Sequence, residues 1–85
     1  MGVVLFTDSA FRHGYQEEDF FEVLESRPWK MRSRRGLKDV FEMYGRTHAG
    51  EYQLVALREG PDDLTVVFHM RRMTDREKRS YRSRQ

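Results

Sequence analysis

The alternation of apolar and polar residues is clearest between Leu64 and Arg71. One face of the predicted strand carries Leu64, Val66, Phe68 and Met70, and the other carries Thr65, Val67, His69 and Arg71. Just beyond this strand, Thr74 and Glu77 have the spacing of a capping box, in which each side chain accepts a hydrogen bond from the other residue's backbone N–H. A strand is therefore followed closely by a helix, which we predict over residues 74–83.

The rest of the pattern predicts an α+β fold. We expect strands over residues 2–6, 37–45 and 51–58, an edge strand or loop over 29–36, and a helix over 16–26 that ends before Pro28. A single helical turn precedes Gly14, and the turn-rich segments 46–50 and 59–63 suit hairpins. The prediction is one domain, residues 1–85: an antiparallel sheet of about four strands, with the N-terminal helical part on one face and a short C-terminal helix.

Composition narrows the chemistry. The chain has no cysteine, which excludes disulfides and thiolate metal sites, and its three histidines contain no His-x-x-x-His pair. We therefore predict no metal and no cofactor. No apolar run approaches the ~20 residues of a membrane span, and the first residues lack the features of a signal peptide. We expect a cytoplasmic protein without a membrane partner.

Charge is segregated along the chain. Residues 8–25 carry six acidic side chains and one basic one, residues 27–38 carry six basic side chains and no acidic one, and residues 71–84 carry seven basic and two acidic ones. Such acid-poor segments suit a polyanion, because a protein that neutralises phosphates releases counterions. The alternative is that these charges form an ordinary solvated surface.

Three motifs occur in the order and spacing of a known family. They are Arg12-His13-Gly14-Tyr15 followed by the acidic helix, Tyr44-Gly45-Arg46-Thr47 with Ala49-Gly50, and Phe68 to Thr74 followed by Glu77 and Tyr81. Together they resemble the BrnT toxins of bacterial type II toxin–antitoxin systems, within the RelE-like ribonuclease fold. The chain departs from that family in a shortened first helix and in His69, which stands where a small serine is usual.

The resemblance implies a ribonuclease that cleaves RNA without a metal and so inhibits translation. It also implies a heteromer with a cognate antitoxin, and RNA as substrate, free or on the ribosome. Arg71 matches the family's arginine, so we assign it charge stabilisation; His69, on the same strand face, is a candidate acid or base, and the hydroxyl of Tyr81 is a third candidate. The alternatives are that Arg71 pairs with Glu42 or Glu51, that His69 is a surface residue, and that Tyr81 only packs.

Basic residues are the candidates for holding the RNA backbone, a role that positions RNA without reading its sequence. They are Lys30, Arg32, Arg34, Arg35, Lys38 and Arg46. Trp29 either packs on the sheet or offers a stacking face. We expect His13 to end a helical turn and His48 to lie exposed without a role.

Two other classes of function stay open. One is a non-catalytic nucleic-acid-binding module on the same fold, and the other is an interaction protein whose basic segments meet an acidic partner chain. The fold alone does not separate them from a ribonuclease.

Overall fold

The computed structural model describes residues 2–33 and 36–84. The chain forms β1 (Val4–Phe6), a 3-10 helix (Asp8–Phe11), α1 (Glu17–Glu25), β2 (Trp29–Arg32), β3 (Val40–Arg46), β4 (Tyr52–Gly60), β5 (Leu64–Arg72) and α2 (Asp75–Arg82). The strands make one sheet in the order β1-β5-β4-β3-β2. The predicted α+β class is confirmed, and the sheet is larger than predicted.

The sheet has five strands and is mixed, so the prediction of about four antiparallel strands is wrong in both respects. β2, β3, β4 and β5 pair antiparallel, whereas β1 pairs parallel with β5. Within the segment left open as strand or loop, Trp29–Arg32 forms the short edge strand β2. β1 has only three residues. Its partner and direction are not specified within so short a segment, because parallel strands are joined by a long crossover connection that lies outside them.

A β-bulge in β5 decides which side chains share a face. Ala56 of β4 lies opposite His69, and the next residue, Leu57, lies opposite Val67, so Phe68 is an extra residue. Val67 and Met70 consequently both point into the same buried cluster. The predicted alternation, which placed Val67 with His69 and Arg71, is therefore wrong before the bulge and correct after it.

The core is divided between the two faces of the sheet. On the first face, the stripe of α1 packs with Phe20 and Val23 against a cluster that includes Met43, Val55 and Met70. The close packing requires Gly45, because a Cβ at this position would stand 2.6 Å from Cγ1 of Val23 and 2.7 Å from Oγ of Ser26.

On the second face, α2 covers one end of the sheet. Tyr81 is only 1% exposed and packs with Tyr44, Leu54 and Met73. The predicted capping box is confirmed: Glu77 N donates to Thr74 Oγ1 at 3.1 Å, and Thr74 N donates to Glu77 Oε1 at 2.9 Å. The helix has little apolar surface of its own, so its cap and this docking hold it in place.

No helix in the part of the chain that the structure describes is long and apolar enough to cross a membrane.

Candidate functional site

The part of the second face that α2 leaves uncovered forms a cleft of about 410 Å³, within the range of small-molecule and substrate sites. Ala56 and Leu54 of β4 lie among its lining residues, between the side chains of the neighbouring strands. The full lining consists of Ser9, Ser33, Leu37, Val40, Glu42, Leu54, Ala56, Phe68, His69 and Arg71.

The register of β5 brings the two main candidate residues onto this face. Arg71 lies opposite Leu54, and His69 lies opposite Ala56. Residues opposite each other in an antiparallel pair share a face, so the two candidates stand side by side, about 7 Å apart along the strand. The prediction that His69 and Arg71 share a strand face is confirmed.

His69 is half-buried, and its surroundings disfavour the charged imidazolium. Burial lowers the pKa of His69 below its usual 6.5, and the nearby charges of His13, Arg71 and Arg12 lower it further. The neutral imidazole, which can accept a proton, is therefore the favoured form at neutral pH.

Arg71 is engaged by Glu77 rather than by Glu42 or Glu51. Its Nη1 donates to Glu77 Oε1 at 2.7 Å, its Nη2 donates to Glu77 Oε2 at 2.8 Å, and Nη1 also donates to the backbone oxygen of Arg72 at 3.0 Å. These hydrogen bonds lower the pKa of Glu77 to about 2 and raise that of Arg71. Toward the residues that the structure describes, the guanidinium uses three of its five N–H donors, which leaves two for a ligand.

Tyr81 lies in the core beneath α2. Its ring meets that of Tyr52 edge to face, with centroids 6.0 Å apart, and only 1% of the residue is exposed. The ring therefore packs in the core. A catalytic role for Tyr81 stays a prediction, and the burial of the side chain leaves a substrate little access to it.

The predicted basic residues divide between the two faces. Lys30 lies opposite Met43, and Arg32 lies opposite Phe41, so both project to the face that carries α1, away from the cleft. Lys30 also forms an ion pair with Glu59 and lies 4.7 Å from the Phe41 ring centroid. The remaining positions are Lys38, which is exposed in the turn before β3, and Arg34 and Arg35, which lie outside the described residues.

Arg46 lies on the same face as the cleft and belongs to a cluster of cations around Tyr52. The guanidinium carbon of Arg46 is 4.8 Å from the Tyr52 ring centroid, Lys78 Nζ is 5.0 Å away, and the Arg82 guanidinium carbon is 5.8 Å away. These four residues are called the Tyr52 cluster below. Lys78 and Arg82 are four apart on α2, a spacing that puts both on one helix face and that was visible in the sequence.

Trp29 packs on the sheet, which was one of the two predicted alternatives. Its ring meets that of Tyr44 at a centroid distance of 5.3 Å. The guanidinium carbon of Arg84 lies 3.8 Å from the centroid of the Trp29 ring.

Glu42 is a cleft residue that the sequence indicated only as an alternative partner of Arg71. It lies opposite Ala56, which in turn lies opposite His69, so the carboxylate and the imidazole project from strands on either side of a small alanine. Its Oε1 is shielded from solvent and finds no hydrogen-bond partner among the described residues. A buried oxygen of this kind can accept a hydrogen bond from a ligand in the cleft.

A second cavity, of about 580 Å³, shares no lining residue with the cleft. Its lining includes His13, Tyr15, Glu51 and Arg72. Burial raises the pKa of the Tyr15 hydroxyl, which also interacts with Arg72 and Glu51. In residues 2–33 and 36–84, no group of three or more metal-binding side chains is arranged to hold an ion.

Comparison with models of protein families finds none that matches this chain, and comparison with curated proteins finds no significant match. The resemblance to BrnT toxins therefore rests on the three sequence motifs alone.

Proposed function

We propose that this protein is a cytoplasmic, metal-independent endoribonuclease that acts as the toxin of a type II toxin–antitoxin system and inhibits translation. The observation that carries the proposal is the pairing of His69 and Arg71 on the open face of the sheet, in a cleft of about 410 Å³. A neutral imidazole beside a permanent cation supplies two of the three functions that cleavage of RNA by its own 2′-hydroxyl requires.

The proposed chemistry runs within one phosphodiester. His69 takes the proton of the 2′-hydroxyl, the 2′-oxygen attacks the phosphorus, and the bond from phosphorus to the 5′-oxygen breaks. The products are a 2′,3′-cyclic phosphate and a free 5′-hydroxyl once that oxygen is protonated. Arg71, with two N–H donors used neither by Glu77 nor by the Arg72 carbonyl, stabilises the negative charge that grows on the phosphoryl oxygens.

The Tyr52 cluster supports binding of the RNA chain on the same face. Its three cations lie beside α2 on the face that carries the cleft, where they would neutralise phosphates of an RNA chain that extends beyond the cleft across that face. Lys30 and Arg32 are less suited to this role, because they project from the opposite face of the sheet. The proposed antitoxin would mask the same surface with an acidic segment, which makes the inactive form a heteromer.

Cleavage of a defined RNA by the purified chain tests the proposal. We expect products ending in 2′,3′-cyclic phosphate and 5′-hydroxyl, formed equally well with and without EDTA, and loss of cleavage in Arg71→Ala. The matched control is Arg32→Ala, which removes a cation from the opposite face and should retain activity. Intact RNA after incubation with the native protein, free or with ribosomes, would contradict the proposal.

A non-catalytic nucleic-acid-binding module is the second candidate, and the Arg71–Glu77 pair favours it. A guanidinium already neutralised by a carboxylate stabilises a transition state less than a free one does. This candidate predicts RNA binding that weakens steeply with salt and no turnover.

A further inference from the structure

The imidazoles of His13 and His69 are in direct contact. Their ring centroids are 5.2 Å apart, and the planes meet at 87° in an edge-to-face arrangement. His69 lines the cleft, and the contact places His13 beside it, in the turn that follows the 3-10 helix. A phosphate bound at His69 would therefore lie within reach of both rings.

The position of His13 is fixed by the way the chain leaves β1. The Thr7 N–H donates to the Val67 oxygen at 3.0 Å, and the Ser9 hydroxyl donates to the Phe68 oxygen at 2.7 Å. These bonds attach the 3-10 helix to the bulged part of β5, where β1 no longer pairs. The turn that follows is closed by a hydrogen bond from Gly14 N to the Phe11 oxygen at 3.1 Å, and Gly14 has a φ of 89° that favours glycine.

The surroundings of the pair favour the neutral form of His69. Burial lowers the pKa of His69, and the nearby charges of His13, Arg71 and Arg12 lower it further. One neutral and one protonated imidazole is the state in which two histidines can act as base and acid in the same step. In this pair, the half-buried ring of His69 suits the base, and the exposed ring of His13 is in direct contact with it.

We propose that His13 is the general acid that completes this site: it protonates the departing 5′-oxygen while His69 accepts the proton of the 2′-hydroxyl. The proposal rests on the ribonuclease function above and supplies the third group that the reaction needs. A centroid separation of 5.2 Å is close to two hydrogen-bond lengths of ~2.6–3.2 Å each, so both rings can reach oxygens of one phosphate placed over the pair. One proton leaves the substrate and one returns to it, so after cleavage His69 is protonated and His13 is neutral.

His48 offers a matched comparison. It lies exposed on the hairpin between β3 and β4, where its Nε2 is 3.1 Å from Glu25 Oε2, and it is not among the residues that line the cleft. His48→Ala should therefore leave cleavage unchanged.

The test compares two RNA substrates that differ in one atom. In the first, the leaving group is the ordinary 5′-oxygen; in the second, it is sulfur, which departs as a thiolate and needs no acid. We expect His13→Ala to cleave the oxygen substrate at least ~10²-fold more slowly than the native protein and the sulfur substrate within a few-fold of it. His69→Ala should be slow on both substrates, and His48→Ala should match the native protein on both.

Three outcomes would overturn the proposal. If His13→Ala cleaves the oxygen substrate at the native rate, His13 takes no part in the reaction. If it is equally slow on both substrates while its circular dichroism spectrum is native, His13 has a role other than that of an acid. If the native protein cleaves neither substrate, the ribonuclease function itself fails, and this inference fails with it.

Discussion

Arg71 and Glu77 are joined by two parallel hydrogen bonds of 2.7 and 2.8 Å. The same carboxylate accepts a hydrogen bond from the backbone N–H of Thr74 and so caps α2. One side chain therefore orients the central arginine of the cleft and fixes the start of the helix beside it. Glu77 is 13% exposed and Arg71 is 31% exposed, so the pair is shielded from solvent only in part.

Glu77→Gln should destabilise the fold and change its response to acid. The folded-state pKa of Glu77 is about 2, below the usual 4.5, so its stabilising effect is complete above about pH 4.5 and is lost as the pH falls toward 2. The shift alone would correspond to about 3 kcal/mol, and we expect about 1–2 kcal/mol because solvent screens the pair.

Denaturant unfolding of Glu77→Gln and the native protein at pH 7 and pH 3 measures this contribution. Glutamine can still accept the hydrogen bond of the cap, so the variant isolates the charge. The gap between the two free energies of unfolding should narrow at pH 3. Asp75→Asn, in the same helical turn, is the control, and at pH 7 its free energy of unfolding should differ less from that of the native protein. An equal loss of stability in both variants would refute a special role for Glu77.

The acid limb of the cleavage rate should reflect His69. Because burial and the charges of His13, Arg71 and Arg12 lower the pKa of His69, the base becomes active at a pH below 6.5. We expect kcat/KM to rise with pH along an acid limb whose midpoint lies below 6.5, and this limb to disappear from the residual activity of His69→Gln. A limb centred above 6.5, or one that persists in the variant, would argue against His69 as the base.

The Tyr52 cluster should account for part of the salt dependence of RNA binding. The double variant Lys78→Gln/Arg82→Gln removes two cations, which should reduce the slope of log K against log salt by about 1.4 for single-stranded RNA. The matched control, Lys30→Gln/Arg32→Gln, also removes two charges but from the opposite face. Equal effects of the two double variants on binding would show that RNA does not distinguish the two faces.

Gly45→Ala should weaken the packing of α1 on the sheet. The added Cβ would stand 2.6 Å from Cγ1 of Val23, and overpacking of this kind costs about 1–3 kcal/mol. Gly60→Ala is the control, because its Cβ would approach only the flexible end of Leu64, at 3.3 Å. In thermal unfolding, the Tm of Gly45→Ala should lie clearly below that of Gly60→Ala. The reverse order of the two Tm values would mean that α1 shifts to accept the added methyl group without loss of stability.

Local signals predicted much of the fold. The capping box of Thr74 and Glu77 defined the start of α2, and Pro28 marked the end of α1, because both act within a few residues. Features that depend on residues far apart in the chain could not be predicted from the sequence. The partner of β1 depends on a crossover, and the bulge at Phe68, which moves Val67 into the core, depends on the register with β4.

The site was predictable only in part for the same reason. His69 and Arg71 are two residues apart on one strand, so their common face follows from sequence alone. The partner of Arg71 is a neighbour in the sequence, yet the sequence indicated Glu77 as a capping residue and a motif position and not as the partner of Arg71. His13 is far from His69 in sequence, and their contact requires the attachment of the 3-10 helix to β5 through Ser9. Lys30 and Arg32 were grouped by charge, although their strand places them on the other face.

We propose that the cleft with His69 and Arg71 cleaves RNA in the cell. The most direct measurement is induced expression in bacteria of the native protein beside Arg71→Ala and Arg32→Ala, with growth and total RNA followed and the protein levels matched. We predict growth arrest and RNA cleavage with the native protein and with Arg32→Ala, and neither with Arg71→Ala. Normal growth and intact RNA with the native protein, or arrest that persists in Arg71→Ala, would contradict the account.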